Sequence, residues 1–170
     1  YTSGMRFEWD EQKNQANLRK HGLSLADAHK VFDAPLLVTL DDRFDYGEDR
    51  WIAIGRLQFR IVVVVYTESN EQTIRIISLR KALSHERTAY EELFGKWARV
   101  DAMADEDIDT SDIPPLTDRF FQKARVRMPK RRVNMQIDAD LLQWFQSQGE
   151  DYERRMNAAL RLYVEAHEVA

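Results

Sequence analysis

The chain has 170 residues, 44% hydrophobic and 32% charged, which bounds it to a soluble globular protein of one ordinary domain or two small ones. A formal net charge of −4 excludes a uniformly basic nucleic-acid binder, so any such role must come from local patches. The absence of cysteine excludes disulfides and thiolate metal sites and fits a cytoplasmic protein. The longest apolar run, Ile61 to Tyr66, has the length of a strand and not of a membrane span.

Tyr1-Thr2-Ser3-Gly4 precede Met5 and read as a cloning remnant, with Met5 as the natural start. Phe7 to Asp10 alternates and ends in an acceptor, which predicts a short strand running into a helix cap. Glu11 to His21 is helix-compatible and Gly22 stops it. Ser24 with Asp27 starts a second helix that runs to about Phe32, and Pro35 closes it. A β region follows: Leu36–Leu40, an acidic loop from Asp41 to Asp49, Arg50–Ile54 with a turn at Gly55-Arg56, Gln58–Thr67, and Thr73–Ser78. Ser84 to about Trp97 reads as a helix with Tyr90, Leu93 and Phe94 on its apolar stripe. Residues 5 to about 97 therefore predict a self-contained α+β domain with a twisted antiparallel sheet.

From Val100 the character changes. Asp101, Asp105, Glu106, Asp107, Asp109 and Asp112 form an acidic run, and Pro114-Pro115 follows, which reads as a linker or an extended binding arm. Thr117 to Ala124 allows a short helix, and its Phe120 and Phe121 need a surface to dock on. Residues 98–125 are thus an acidic arm, and 126–170 a second domain.

In that second domain Val133, Met135 and Ile137 alternate with Arg132, Asn134 and Gln136 behind Lys130-Arg131, which predicts a strand. Helices from about Ala139 to Gln148 and Tyr152 to His167 follow. No other strand candidate follows, and a lone strand is not stable in water. Its simplest partner is the same strand of a second chain, giving a homodimer joined through residues 132–137 and the helices after them. Arg132, Asn134 and Gln136 on such a ribbon have the donors and acceptors that read guanine and adenine in the major groove. Lys130 and Arg131 would meet phosphates. An edge strand with a solvated polar face is the plainer alternative. Glu150 and Asp151 open the last helix, where acids would repel a phosphate.

Phe7-Glu8-Trp9-Asp10, Lys20-His21-Gly22, Glu48-x-Arg50, Gly55-Arg56 and Ile76-Ile77-Ser78-x-Arg80-Lys81-Ala82, followed by Glu86 and Tyr90, resemble the BrnT toxin family. That resemblance implies a RelE-like fold and a ribonuclease that stops translation. Met103 to Asp109, Ser111 to Pro114, Leu116-Thr117-Asp118 with Phe120-Phe121, Asp138 to Leu142 with Trp144-Phe145, and Arg155 to Leu160 resemble the BrnA antitoxin family. This second resemblance implies a ribbon-helix-helix DNA-binding domain and an arm that wraps the toxin. Toxin followed by antitoxin in one chain departs from those families, which are normally two separate proteins.

Metal-independent RNA cleavage needs a base, a cation on the phosphate and an acid. Arg80, Lys81 and Arg50 are the candidate cations at strand ends, Glu48 and Glu86 the candidate bases, and His21 the candidate acid or base. Each has a plainer reading as an ion pair, a packing residue or a helix-end cation. His29 and His85 receive no role, and no metal or cofactor is predicted. The arm is opposite in sign to the Arg50, Arg80 and Lys81 set, so its acids are expected to mask those cations from RNA. The rival expectation is a transcriptional repressor whose first domain is an inert scaffold.

Overall fold

A computed structural model of the chain describes residues 5–70, 72–95, 104–130 and 133–168. Trp97, Asp101, Met103, Arg131 and Arg132, singled out from the sequence, lie outside those residues. The chain divides into two compact units, Tyr1–Arg132 and Val133–Ala170.

In the first unit β1 (Arg6–Glu8) leads into α1 (Glu11–His21). The Asp10 carboxylate accepts from the Lys13 N–H at 2.9 Å, which caps the helix start. Gly22 ends it at φ 65°, and its N–H donates to the Leu18 carbonyl. The segment Leu25–Asp33 is a 3₁₀ helix rather than the α-helix its cap suggested. Its buried Leu25, Ala28 and Val31 are three apart, a spacing that three residues per turn places on one line.

Strands β2 (Leu36–Leu40), β3 (Arg50–Leu57), β4 (Arg60–Asn70) and β5 (Thr73–Lys81) pair antiparallel in sequence order, and α2 (Ser84–Phe94) follows. β1 adds to β5 in parallel, so the sheet is mixed and not wholly antiparallel. No hairpin dictates the direction of β1, and the Arg6 N–H is tied to the Gln72 carbonyl at 2.6 Å. β3 also runs on through Gly55-Arg56, which sequence marked as its turn; the reversal falls at Gln58, with φ 55°. Gly55 is needed for packing. A Cβ there would lie 2.5 Å from both Leu36 Cδ2 and Val31 Cγ1.

The sheet separates two cores. On one face α1 and the 3₁₀ helix cover Leu36, Ala53, Val62, Val64, Tyr66 and Ile76. On the other face Ile52, Ile54, Val63 and Val65 meet Tyr90 of α2 and three residues from far along the chain, Ile113, Leu116 and Phe120. Those three belong to the stretch that composition marked as linker or arm. It contains a short 3₁₀ turn (Asp105–Asp107), then α3 (Asp118–Lys123) and β6 (Arg125–Arg127). β6 pairs antiparallel with β2 and completes the sheet in the order β1-β5-β4-β3-β2-β6.

The second unit holds α4 (Ala139–Ser147) and α5 (Tyr152–His167). None of its described residues is buried: Val133, Met135, Trp144, Leu160 and Tyr163 are all more than half exposed. Val133–Asp138 carry no strand, because a ladder needs a partner and the described residues of this unit supply none. No helix of the described residues is long and apolar enough to cross a membrane.

Candidate active site and its cover

Arg80, near the end of β5, and Glu86, in the first turn of α2, are both 0% exposed. Two parallel hydrogen bonds join them, Nη1 to Oε2 at 2.7 Å and Nη2 to Oε1 at 2.8 Å. Burial works to raise the Glu86 pKa, but the Arg80 guanidinium and the N–H groups of Leu116 and Leu83 outweigh it and hold the carboxyl below its usual range. Glu86 is therefore a poor proton acceptor while it is so bound.

The remaining Arg80 donors are also occupied. Nη1 donates to the Lys81 carbonyl at 2.9 Å, Nε to the Ile113 carbonyl at 2.7 Å and Nη2 to the Pro114 carbonyl at 3.0 Å. Beside them, His85 Nε2 lies 2.8 Å from the Leu116 carbonyl. At the start of α2 the Ser84 N–H and hydroxyl both donate to Asp105 Oδ1 at 2.8 Å, so the arm provides this helix with its capping carboxylate.

At the C-terminal end of α1 the arm makes a second set of contacts. Lys20 Nζ is 2.8 Å from Asp112 and 3.6 Å from Asp109. The His21 side chain is 2% exposed, and its Nε2 is 3.7 Å from Asp112 Oδ2 with no hydrogen-bond partner. Burial pushes its pKa down and Lys20 adds to this, against the pull of Asp112 and Asp109. The α1 end is held in place by Asn17, whose amide bonds the Leu79 carbonyl at 2.9 Å and accepts from the Leu79 N–H at 3.2 Å.

The expected cation set is not one patch. Strand alternation places Arg80, opposite Val63, and Lys81, opposite Val62, on different faces of the sheet. Register aligns Arg50, Thr67 and Arg75 in a cross-strand row, four β4 residues from the level of Arg80 and so about 13 Å away. Glu48 bridges that row to both arginines, and Arg50 stacks 4.1 Å from the Tyr46 ring centroid. The expected masking is also corrected: Arg80 meets arm carbonyls, while Asp109 and Asp112 go to Lys20 and Asp105 goes to α2. Arg75 and Asn17, which the sequence reading did not name as candidates, and His85, which it gave no role, lie at these contacts. Alternation in β5 marks Arg75, but nothing local marks the other two. Lys130, Asn134 and Gln136 are exposed.

Residues 9–86 match the family model described as the ribonuclease toxin, BrnT, of a type II toxin-antitoxin system. Residues 96–164 match the model of its BrnA antitoxin. The chain joins a BrnT-family toxin to a BrnA-family antitoxin. It therefore carries both halves of a type II toxin-antitoxin module. The crystal structure of the Brucella abortus ribonuclease toxin, BrnT, is similar at 31% identity over 46% of this chain and 96% of that chain, with a TM-score of 0.37. No curated protein matches the chain. The BrnA segment does not coincide with the second unit. Its residues up to Arg132 belong to the same unit as BrnT, and those from Val133 form the other.

Proposed function

We propose that the chain is a self-inhibited ribonuclease tethered to a dimer-forming repressor. Its BrnT segment cleaves RNA and stops translation, and residues 104–127 of its BrnA segment hold that activity off. The observation that carries this reading is the placement of Ile113–Leu116 over Arg80, Glu86 and His85, with Asp109 and Asp112 at Lys20 and His21. In the freed toxin Arg80 binds the scissile phosphate and His21 exchanges a proton. Arg50, with Glu48 beside it, contacts the RNA strand farther along the sheet face. Lys81, at the strand end, contributes charge from the other face. Glu86 orients Arg80.

The chain from Lys130 onward forms a ribbon-helix-helix dimer in which Arg132, Asn134 and Gln136 read operator bases while Lys130 and Arg131 hold phosphates. Among the described residues from Val133 none is buried, which supports a partner chain, since a single helix pair of this length has no core of its own. Gel shifts over a salt series test it: Arg132→Ala should cost about 1–3 kcal/mol on the cognate site. A uniform loss on every sequence would contradict base reading by that residue.

One observation favours a second reading, a repressor carrying an inert toxin fold. Arg80 and Glu86 form a bidentate ion pair at full burial, as a purely structural pair does. Residues 5–95 expressed beside the intact chain discriminate. Growth arrest and RNA breakdown by the fragment alone support the nuclease, and a folded, harmless fragment supports the scaffold.

A further inference from the structure

We propose that Arg80 and His85 form a phosphate site for an RNA strand, and that the backbone of Ile113–Leu116 fills it as a stand-in for the phosphodiester chain. This rests on the ribonuclease reading and names the ligand contacts and the blocking device of that site. Nε and Nη2 are the side edge of a guanidinium, the pair of donors that suits two oxygens of one anion. Here the Ile113 and Pro114 carbonyls occupy that edge, at 2.7 and 3.0 Å. The other edge is fixed by Glu86 and the Lys81 carbonyl, both outside the arm. Withdrawal of the arm therefore leaves two oriented donors facing outward.

His85 extends the site. A carbonyl only accepts, so the 2.8 Å contact with the Leu116 carbonyl requires the proton on Nε2. The first turn of α2 adds the Ser84 N–H and hydroxyl, which hold the Asp105 carboxylate. Every arm group in this set is an acceptor, except the Leu116 N–H, which donates to Glu86. Pro114 and Pro115 have no N–H, so Ile113-Pro114-Pro115-Leu116 keeps its carbonyls and has no amide donor at either proline to satisfy. An RNA backbone is likewise rich in acceptors. The block is thus made by main-chain shape and acceptor pattern, and the acids serve neighbouring contacts.

The test measures binding of a 2′-O-methyl oligoribonucleotide, which has no 2′-hydroxyl to attack and stays intact. The full chain is compared with Ile113→Ala/Leu116→Ala, which loosens the arm without burying a charge. The loosened chain should bind about tenfold more tightly, and adding His85→Ala should remove about tenfold of that, the worth of one charge-assisted hydrogen bond. His85→Gln, which keeps a side-chain N–H, should restore most of it. Residues 130–132 are the same in all these chains, so their non-specific binding cancels. Equal binding by the intact and loosened chains, or no effect of His85→Ala, overturns the proposal. Where the loosened chain does not fold, hydrogen exchange at the Leu116 N–H of the intact chain decides. It should quicken on saturation with the oligonucleotide, and unchanged exchange overturns the proposal. Cleavage of unmodified RNA is read separately. Binding that depends on His85 without cleavage keeps this site and removes the ribonuclease reading; cleavage with binding indifferent to His85 does the reverse.

Discussion

Arg80 is the largest fully buried side chain among the described residues, and all five of its N–H donors are engaged. A buried charge tolerates removal of its partner poorly. Glu86→Ala should destabilise the first unit by about 3–5 kcal/mol, because it leaves a guanidinium unpaired and takes acceptors from the Leu83 and Leu116 N–H groups. Arg80→Ala has the matching defect at Glu86. Urea unfolding of both single variants and of the double variant should give a double loss well below the sum, and simple additivity would contradict a coupled pair. Loss of activity in Arg80→Ala therefore identifies a phosphate ligand only where its melting curve stays cooperative.

His21 sets a pH dependence at the same scale. Its imidazole titrates below the ordinary 6.5 because it is buried, so the fold favours the neutral ring. Between the two values the unfolded chain binds the extra proton. The contribution is complete above about 6.5 and is lost as pH falls through the folded value. Thermal melts should lose stability on acidification through that window, and His21→Asn should flatten this part of the curve. Parallel curves for the two proteins would contradict the assignment.

At the scale of elements, the arm docks through a few contacts that can be weighed singly. Asp105→Ala removes the carboxylate that caps α2 and should cost about 1 kcal/mol by denaturant melt. Phe120→Ala opens the second core from the arm side and should cost about 3–5 kcal/mol. The ion pairs of Asp42 with Arg119 and Lys123 are surface pairs, and Asp42→Ala should change stability by no more than about 1 kcal/mol. A larger loss from Asp42 than from Phe120 would show that charge and not packing holds the arm.

Those contacts also mark the limit of what sequence disclosed. Asp10 and Gly22 announce α1 because capping is a local matter of neighbouring residues. The five-residue valine-rich run of β4 and the two final helices are legible for the same reason. The parallel addition of β1 is not, since its partner lies more than sixty positions away. Gly55 reads as a turn because local chemistry cannot show the approach of Val31 and Leu36. Pro114-Pro115 reads as linker by composition, yet its neighbours Ile113 and Leu116 are core residues, placed by a sheet face formed much earlier in the chain. The candidate residues were named by type and spacing, but only register separated Arg80 from Lys81 and joined Arg50 to Arg75.

At the scale of the molecule, the BrnA segment is divided between two tasks. Its first part completes the sheet and second core of the BrnT unit, and its last part leaves every described apolar side chain at least partly exposed. A dimer through residues 133–168 is expected. Sedimentation of the intact chain should show a concentration-dependent dimer, and Leu160→Asp or Trp144→Asp should leave monomers with the first unit folded. A monomer at all concentrations would contradict it.

If a working toxin is silenced by its own arm, removing the arm must release it. Residues 5–95 and the intact chain are expressed side by side, with growth and RNA integrity followed and folding of the fragment checked by circular dichroism. Arrest and RNA breakdown are expected with the fragment and neither with the intact chain. A folded fragment that leaves growth and RNA untouched would contradict that expectation.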